Sequence, residues 1–328
     1  MRRRRLLAAS TAGLLAAPAL LRAQGGAGAW PNRPVRIIVP YAPGGTSDII
    51  VRPIAERLER AFGRPFIVDN RAGAGGTVGS AAAAAERPDG HTLVVANTGP
   101  LAVAPSLYPN LAYDPARAFA WIAMFGGAPI VCAVKGDGPI RGMDDYLAAA
   151  KARPEAVSFG SSGVGSAGHL TGVLFGMEAG AKMLHIPYRG AGEAQQAVLS
   201  GDTASLWDTS GANAAAIRAG TLRGLAVSSA ERVSALPAVP TLKELGWPGV
   251  VSTNWFLLAA PAGLDSAVSA RLAEAVHAAL AEPAIRERLE AAGVVSLGQM
   301  APEAIAAFVA EETARWAPVV RASGAKPA

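Results

Sequence analysis

The clearest chemical signal in the chain is Val39-Pro40-Tyr41-Ala42-Pro43-Gly44-Gly45-Thr46-Ser47-Asp48. It follows an apolar run, Val35-Arg36-Ile37-Ile38-Val39, that reads as a buried strand, and it precedes residues 49–62, whose apolar positions recur at helical spacing. A Pro-Gly-Gly turn between strand and helix leaves N–H groups uncovered at the helix start. Such a terminus attracts anions through free donors and the positive end of the helix dipole, with no cationic side chain needed.

Three further glycine-rich turns follow expected strands: Asn70-Arg71-Ala72-Gly73-Ala74-Gly75-Gly76-Thr77, Ala96-Asn97-Thr98-Gly99-Pro100, and Gly160-Ser161-Ser162-Gly163-Val164-Gly165-Ser166-Ala167-Gly168-His169. Any one of them can be a tight turn that needs glycine. Together, and loaded with hydroxyls, they point to capture of a small carboxylate, because ligands of open α/β sheets bind outside the carboxyl ends of the strands. Asp48 can cap the first helix, hold the turn's amides in place or take a polar group of a ligand. Asp208 ends a strand aimed at the same cleft. His169 sits in a Gly/Ser turn, where it either touches a ligand or braces the turn. Trp207 and Trp255 are placed near the cleft or its hinge.

Enzyme chemistry has weaker support. Gly163-Val164-Gly165-Ser166-Ala167-Gly168 matches G-x-G-x-x-G and makes an NAD-dependent oxidoreductase the alternative reading. The next expected strand, Met183-Leu184-His185-Ile186, lacks the terminal acid that would hold a ribose hydroxyl. Neither Ser161 nor Ser162 lies in a G-x-S-x-G elbow, so a hydrolase using Ser162 or Ser166 has no motif behind it. His91, His169, His185 and His277 show no metal-ligand spacing. The reading is therefore a non-enzymatic protein without metal or cofactor.

The elements that must position these turns alternate between strand and helix, which predicts mostly parallel sheets with crossover helices. Expected strands after the first are 65–69, 92–96, 121–125, 130–134, 157–159, 183–186, 204–207, 222–227 and 253–259. Expected helices are 76–86, 144–152, 166–179, 191–199, 213–219, 241–245, 265–280, 283–292 and 302–319. The apolar runs 121–134 and 253–260 are candidates for crossings between two lobes, one made of 30–128 plus 254–328 and the other of 129–253.

Arg2 to Arg5 precede an Ala/Leu-rich run over 6–21 and then Arg22-Ala23-Gln24, the order of a secretory signal over residues 1–23. The Arg-Arg-x-Leu-Leu order also allows twin-arginine export beside the general route. The chain carries 30 Lys+Arg against 25 Asp+Glu, a formal charge of +5. Removing the signal takes away five arginines and no acid, so the mature chain is near neutral and offers no basic face for nucleic acid. The lone Cys132, in a strand-like run, excludes an intrachain disulfide and reads as a buried small hydrophobe.

With these turns in view, the chain resembles the substrate-binding proteins of tripartite tricarboxylate transporters, the Bug family. The resemblance spans nearly the whole mature chain. Besides the first two turns it rests on Asn97-Thr98-Gly99, Pro105-Ser106-Leu107-Tyr108, Tyr113-Asp114-Pro115, Ile186-Pro187-Tyr188-Arg189-Gly190, Leu236-Pro237-Ala238-Val239-Pro240-Thr241 and Trp255-Phe256 with Pro261-Ala262-Gly263. It implies an α/β, two-lobed periplasmic binding protein type II fold (a Venus flytrap), each lobe a mixed, mostly parallel sheet flanked by helices. It also implies a periplasmic monomer that closes on a carboxylate and presents it to transporter membrane subunits or a membrane sensor. The matching ligand positions are Tyr41, Ala42, Gly44, Gly45, Thr46, Asp48, Thr98, Ser162, Gly165, Ser166, His169 and Asp208. Arg189, Val164, Trp207 and Leu257 depart from the residues usual in the family (Lys, Asn, Phe and Gly); a bulkier Trp207 would narrow the pocket.

Overall fold

The computed structural model describes residues 30–327; the expected signal over 1–23 lies outside them. Nine strands form one continuous sheet that changes partners halfway. In the first half, β1 (Val35–Val39) pairs in parallel with β2 (Phe66–Asn70) and β3 (Thr92–Asn97). The last strand, β9 (Thr253–Pro261), pairs antiparallel with β3 and with the first part of β4 (Phe119–Lys135). The second part of β4 pairs antiparallel with β7 (Ser205–Thr209) and β8 (Leu222–Val227). Beyond β7 lie β5 (Ser158–Ser161) and β6 (Leu184–Pro187), both parallel.

Alternation along these strands divides the core. Ile37, Val39, Leu93 and Val95 face α1 (Thr46–Phe62), α9 (Ser266–Ala281) and α10 (Pro283–Ala291). Ile38, Val94 and Ala96 turn the other way and pack with Trp316 of α11 (Pro302–Ser323). In the second half, Ile130, Cys132 and Val134 join Tyr146, Phe159, Phe175 and Trp207, while Val131 and Ala133 face the opposite side. A strand buried on both faces reads as an unbroken apolar run, which is how β3 and β4 stand in the sequence. Cys132 is buried as expected.

The remaining helices are α2 (Thr77–Ala84), α3 (Ala104–Leu107), α4 (Pro115–Ala118), α5 (Met143–Ala152), α6 (Ala167–Ala179), α7 (Ala191–Ser200) and α8 (Ser210–Arg218). Helix α1 ends where the Gly63 N–H, at φ +64°, returns to the Glu59 carbonyl.

Two expectations are corrected, and two short helical segments come in addition. The strands expected over 121–125 and 130–134 are one element, β4, whose register shifts near Ala123 and Gly126 bend it while keeping it continuous. The helix expected over 241–245 is a turn. A reciprocal capping pair forms, with Thr241 N–H on the Glu244 carboxylate and Glu244 N–H on the Thr241 hydroxyl, but Gly246 at φ +98° ends it at once. The helical turns over 99–107 and 115–118 were missed; Asp114 caps the second by accepting the Ala116 N–H at 3.0 Å.

Where the two halves meet, the Ser228 hydroxyl accepts the Ile130 N–H at 2.9 Å and donates to the Ser252 carbonyl at 2.7 Å. It is fully buried, so both backbone groups depend on it. Ser228→Ala should cost about 1–3 kcal/mol, read from urea unfolding, because it leaves a buried N–H without a partner. A change below about 0.5 kcal/mol would show that another group had taken over that N–H.

Candidate functional site

Four helices begin at one small cavity of about 30 Å³. Gly45, Thr46 and Ser47 bring the start of α1; Ser166, Ala167 and Gly168 that of α6; Ala191 that of α7; and Thr209 immediately precedes α8. Each helix directly follows a strand, β1, β5, β6 and β7 respectively, so the parallel βα connection itself aims these termini. Among the described residues no Lys, Arg or His lines the cavity. The N–H groups of Gly45, Thr46, Ser47, Ala167, Gly168 and Ala191 have no acceptor among the described residues. These donors and four positive dipole ends are what an anion needs where no cation is supplied.

Asp48 builds the first of these termini. Its Oδ2 accepts the Gly44 N–H at 2.7 Å and an Arg52 guanidinium N–H at 3.0 Å, and its Oδ1 accepts from Asn70 Nδ2 at 3.0 Å. The bracing role is thus the observed one, and the Gly44 amide is consumed in it. Tyr41 Oη, buried, lies 2.9 Å from the Gly75 carbonyl and 3.1 Å from Asn97 Oδ1, joining three turns. Burial pushes its phenol well above the ordinary value.

Asp208 is buried beside the cavity and surrounded by donors. Its Oδ1 accepts the Thr209 N–H at 2.6 Å and the Thr209 hydroxyl at 3.2 Å; its Oδ2 accepts from the Ser162 hydroxyl. Burial raises its pKa, and the bonds from Ser162 and Thr209 pull it back. A hydroxyl has one proton, and that of Thr209 goes to Asp208, so the Thr46 hydroxyl donates to Thr209 across 2.6 Å. This contact ties the start of α1 to the start of α8.

Behind the third turn the His169 and His185 rings stack at 3.8 Å, against Phe159. His169 Nδ1 accepts the Gly165 N–H at 3.1 Å, its own N–H is capped by Ser166 Oγ, and His185 Nε2 meets Ser161 Oγ at 2.7 Å. Burial brings His169 down to about 4; burial with His169 alongside brings His185 down to about 2. His169 therefore braces the turn from behind.

The halves touch closely on glycine. A Cβ on Gly75, at φ +62°, would stand 2.2 Å from the Val164 carbonyl, and one on Gly190 would stand 3.1 Å from the Ala42 Cβ. Beyond this contact a larger chamber of about 440 Å³ shares Tyr41 and Ser162 with the inner cavity and adds Tyr188 and Arg189. A concavity of about 560 Å³ around Arg141, Arg223 and Leu245 is elsewhere and meets none of the turns.

Of the residues expected from the sequence, Tyr41, Gly45, Thr46, Ser162, Ser166 and Asp208 line the inner cavity. Ala42 is half-buried and Gly44 exposed, neither lining the inner cavity, and Gly165 packs against Leu107. Thr98 is buried, its hydroxyl accepting the Trp255 N–H at 3.3 Å. Trp207 is a correction: its ring lies in the core with its N–H on Tyr146, and it does not narrow the cavity. Trp255 is also buried, donating to Glu312. Ser47, Asn97, Ala191, Thr209, Asn254 and Phe256 were missed as lining residues. The G-x-G-x-x-G segment opens α6 after β5, as its pattern predicts, and Ser166 is the helix cap.

The family described as "Tripartite tricarboxylate transporter family receptor" matches residues 50–325. Protein BugT of Bordetella pertussis is 38% identical over 315 residues, 96% of this chain and 96% of BugT. Among solved structures, the periplasmic binding protein BugD superposes with a TM-score of 0.86 at 32% identity, covering 90% of this chain and 99% of BugD. MatC from Rhodopseudomonas palustris, with bound malate, gives 0.82 at 30% identity, covering 89% and 100%.

The two depressed imidazoles fix how stability depends on pH. The unfolded chain takes up protons there near pH 6.5, whereas folded His169 does so only near 4. Their contribution is complete above 6.5 and lost on acidification, by up to about 1.4 kcal/mol per imidazole per pH unit. Urea unfolding between pH 7.5 and 5 should show this fall, and His169→Gln with His185→Gln should flatten it by up to two protons. An unchanged slope would remove these histidines as its source.

Proposed function

The chain belongs to the tripartite tricarboxylate transporter receptor family, and we propose that it is an exported solute-binding protein that captures a small carboxylate for a membrane transporter. The observation that carries this reading is the meeting of four helix starts, with first-turn N–H groups left without acceptors, at one cavity that among the described residues has no cationic side chain in its lining. A hydrogen bond to a charged group contributes about 1.5–3 kcal/mol, and micromolar capture needs about 8 kcal/mol. A handful of these amides suffices. The family match favours this reading over the oxidoreductase suggested by residues 163–168.

In this reading residues 30–128 with 254–328 form one lobe and 129–253 the other. The Thr46–Thr209 bond and the approach of Gly75 to Val164 are closed-state contacts, broken when the lobes part. The ligand carboxylate lies on the amides of α1 and α6, while the rest of the ligand extends toward the chamber at Tyr188. The N-terminal segment directs export, the protein works in the periplasm as a monomer, and its partners are the membrane subunits of a tripartite transporter. Among the described residues no helix is long and apolar enough to cross a membrane.

Titration calorimetry of ligand-stripped protein against mono-, di- and tricarboxylates and acidic amino acids should give saturable binding at one site. Silence across that panel from folded protein would end the proposal. Closure is tested separately. Gly190 is in extended backbone, φ −179°, so Gly190→Val adds no backbone strain but places bulk against Ala42. It should weaken ligand binding at least tenfold at unchanged melting temperature. It should also abolish the ligand-induced fall in radius of gyration seen by solution scattering with the parent protein.

A further inference from the structure

Helix α8 belongs to the half made of residues 129–253, yet one of its faces lies against the other half. At its start, a Cβ on Gly211 would stand 2.7 Å from the Thr46 hydroxyl and 2.9 Å from the Ala292 carbonyl. Two turns on, Arg218 reaches the same segment, its Nη1 donating to the Ala291 carbonyl at 3.1 Å. Residues seven apart share a helix face, so Gly211 and Arg218 present one edge to one target. That target is the end of α10, which closes at Gly293, φ +71°. The Gly293 N–H returns to the Glu290 carbonyl at 2.8 Å and the Val294 N–H to the Leu289 carbonyl at 2.9 Å. These bonds leave the Ala291 carbonyl at the negative end of the helix dipole, where a guanidinium is favoured. The chain then runs into Val295, which exchanges two backbone bonds with Gly127, at 2.9 and 2.7 Å, beside the bend in β4. Arg218 thus grips a segment fastened to the strand that joins the halves.

We infer that Arg218 is a positioning residue for capture, a latch outside the ligand cavity that holds α8, and with it Thr209, against the start of α1. The inference rests on the capture reading above and its two lobes, and deepens it. Arg218 lines neither the inner cavity nor the outer chamber, so it acts on the closed arrangement and not on the ligand. A contact made only when the lobes meet raises the fraction of protein competent to bind, and apparent affinity rises with that fraction. The same Nη1 lies 3.4 Å from the Ala235 carbonyl, within its own lobe, which keeps the side chain extended over the seam when the lobes part. Arg218 is exposed, so letting go returns the guanidinium to water and strands no buried charge.

The test places nitroxide labels at Arg60→Cys on α1 and Gln196→Cys on α7, exposed positions in the two lobes; Cys132 is buried and escapes labelling. Pulsed electron resonance gives the distance distribution without and with malate, succinate or glutamate, and calorimetry gives the affinities. Arg218→Gln should reduce the short-distance population at least threefold. It should also weaken whichever of the three carboxylates binds at least fivefold, through faster release. Arg218→Lys, which keeps a cation at the Ala291 carbonyl, should recover half or more of both losses. A lower melting temperature with the parent's distances and affinities would overturn the latch, as a contact kept in both states. Equal losses in the Gln and Lys variants would overturn it too. Distances that respond to Arg218→Gln in a protein binding none of the three would keep the latch and remove the capture of these carboxylates. Parent-like distances with no binding would remove both.

Discussion

An anion can be held without a cationic side chain only where several unpaired main-chain N–H groups point at one place. Helix starts supply such groups in threes and fours, but a helix has only one start. To bring four together, the chain must place four strand-to-helix connections around one volume. Parallel βα units do this, because each helix begins at the carboxyl edge of its strand. Here β1 delivers α1 from one half of the sheet while β5, β6 and β7 deliver α6, α7 and α8 from the other. The long β4, shared by both halves, and β9 beside it set how those edges face each other. The antiparallel insertion of β9 between β3 and β4 is thus part of the site's geometry, although it contributes only Asn254 and Phe256 to the lining.

Close approach of two backbone segments imposes a second requirement. Where the turn at Gly75 meets the turn at Val164, there is no room for even one carbon. Gly75 also needs its left-handed conformation, which a side chain would disfavour. The glycines therefore serve two purposes that look the same in a sequence: some shape the turn they belong to, others make room for a turn elsewhere in the chain.

Much of the fold was legible. The first strand, the Pro-Gly-Gly turn and the first helix could be read because an apolar run, a turn signal and a helical period follow one another without overlap. The helix nevertheless starts at Thr46, three residues before its apolar stripe, because capping by backbone geometry at Gly45 leaves no apolar trace. Asp208 was legible as an acid at a strand end. Trp207 was misplaced for a reason the strand itself supplies: neighbouring side chains point to opposite faces. If Asp208 faces the cavity, Trp207 must enter the core, where it packs on Tyr146 and Phe175. Asn254 could not be found, since no local pattern places it in the lining; that becomes visible only when β9 is set beside turns distant in the chain, those at Thr46 and Asn97 more than a hundred residues away.

A buried carboxylate inside an anion site looks like a contradiction, because its charge opposes the guest. The arrangement around Asp208 resolves it. Burial, the largest influence, leaves the Asp208 carboxyl above its ordinary value, while Ser162 and Thr209 both donate to it and offset part of that rise in favour of the charged form. Once charged, Asp208 fixes the direction of each hydroxyl that faces it, and through Thr209 that of Thr46 in the opposite half. A hydroxyl left free can present either a proton or a lone pair, and so distinguishes little between guests. With its proton committed, it can only accept. Asp208 therefore turns the adaptable hydroxyls of Ser162, Thr209 and Thr46 into acceptors opposite the helix-start amides, and that asymmetry imposes an orientation on whatever enters the cavity.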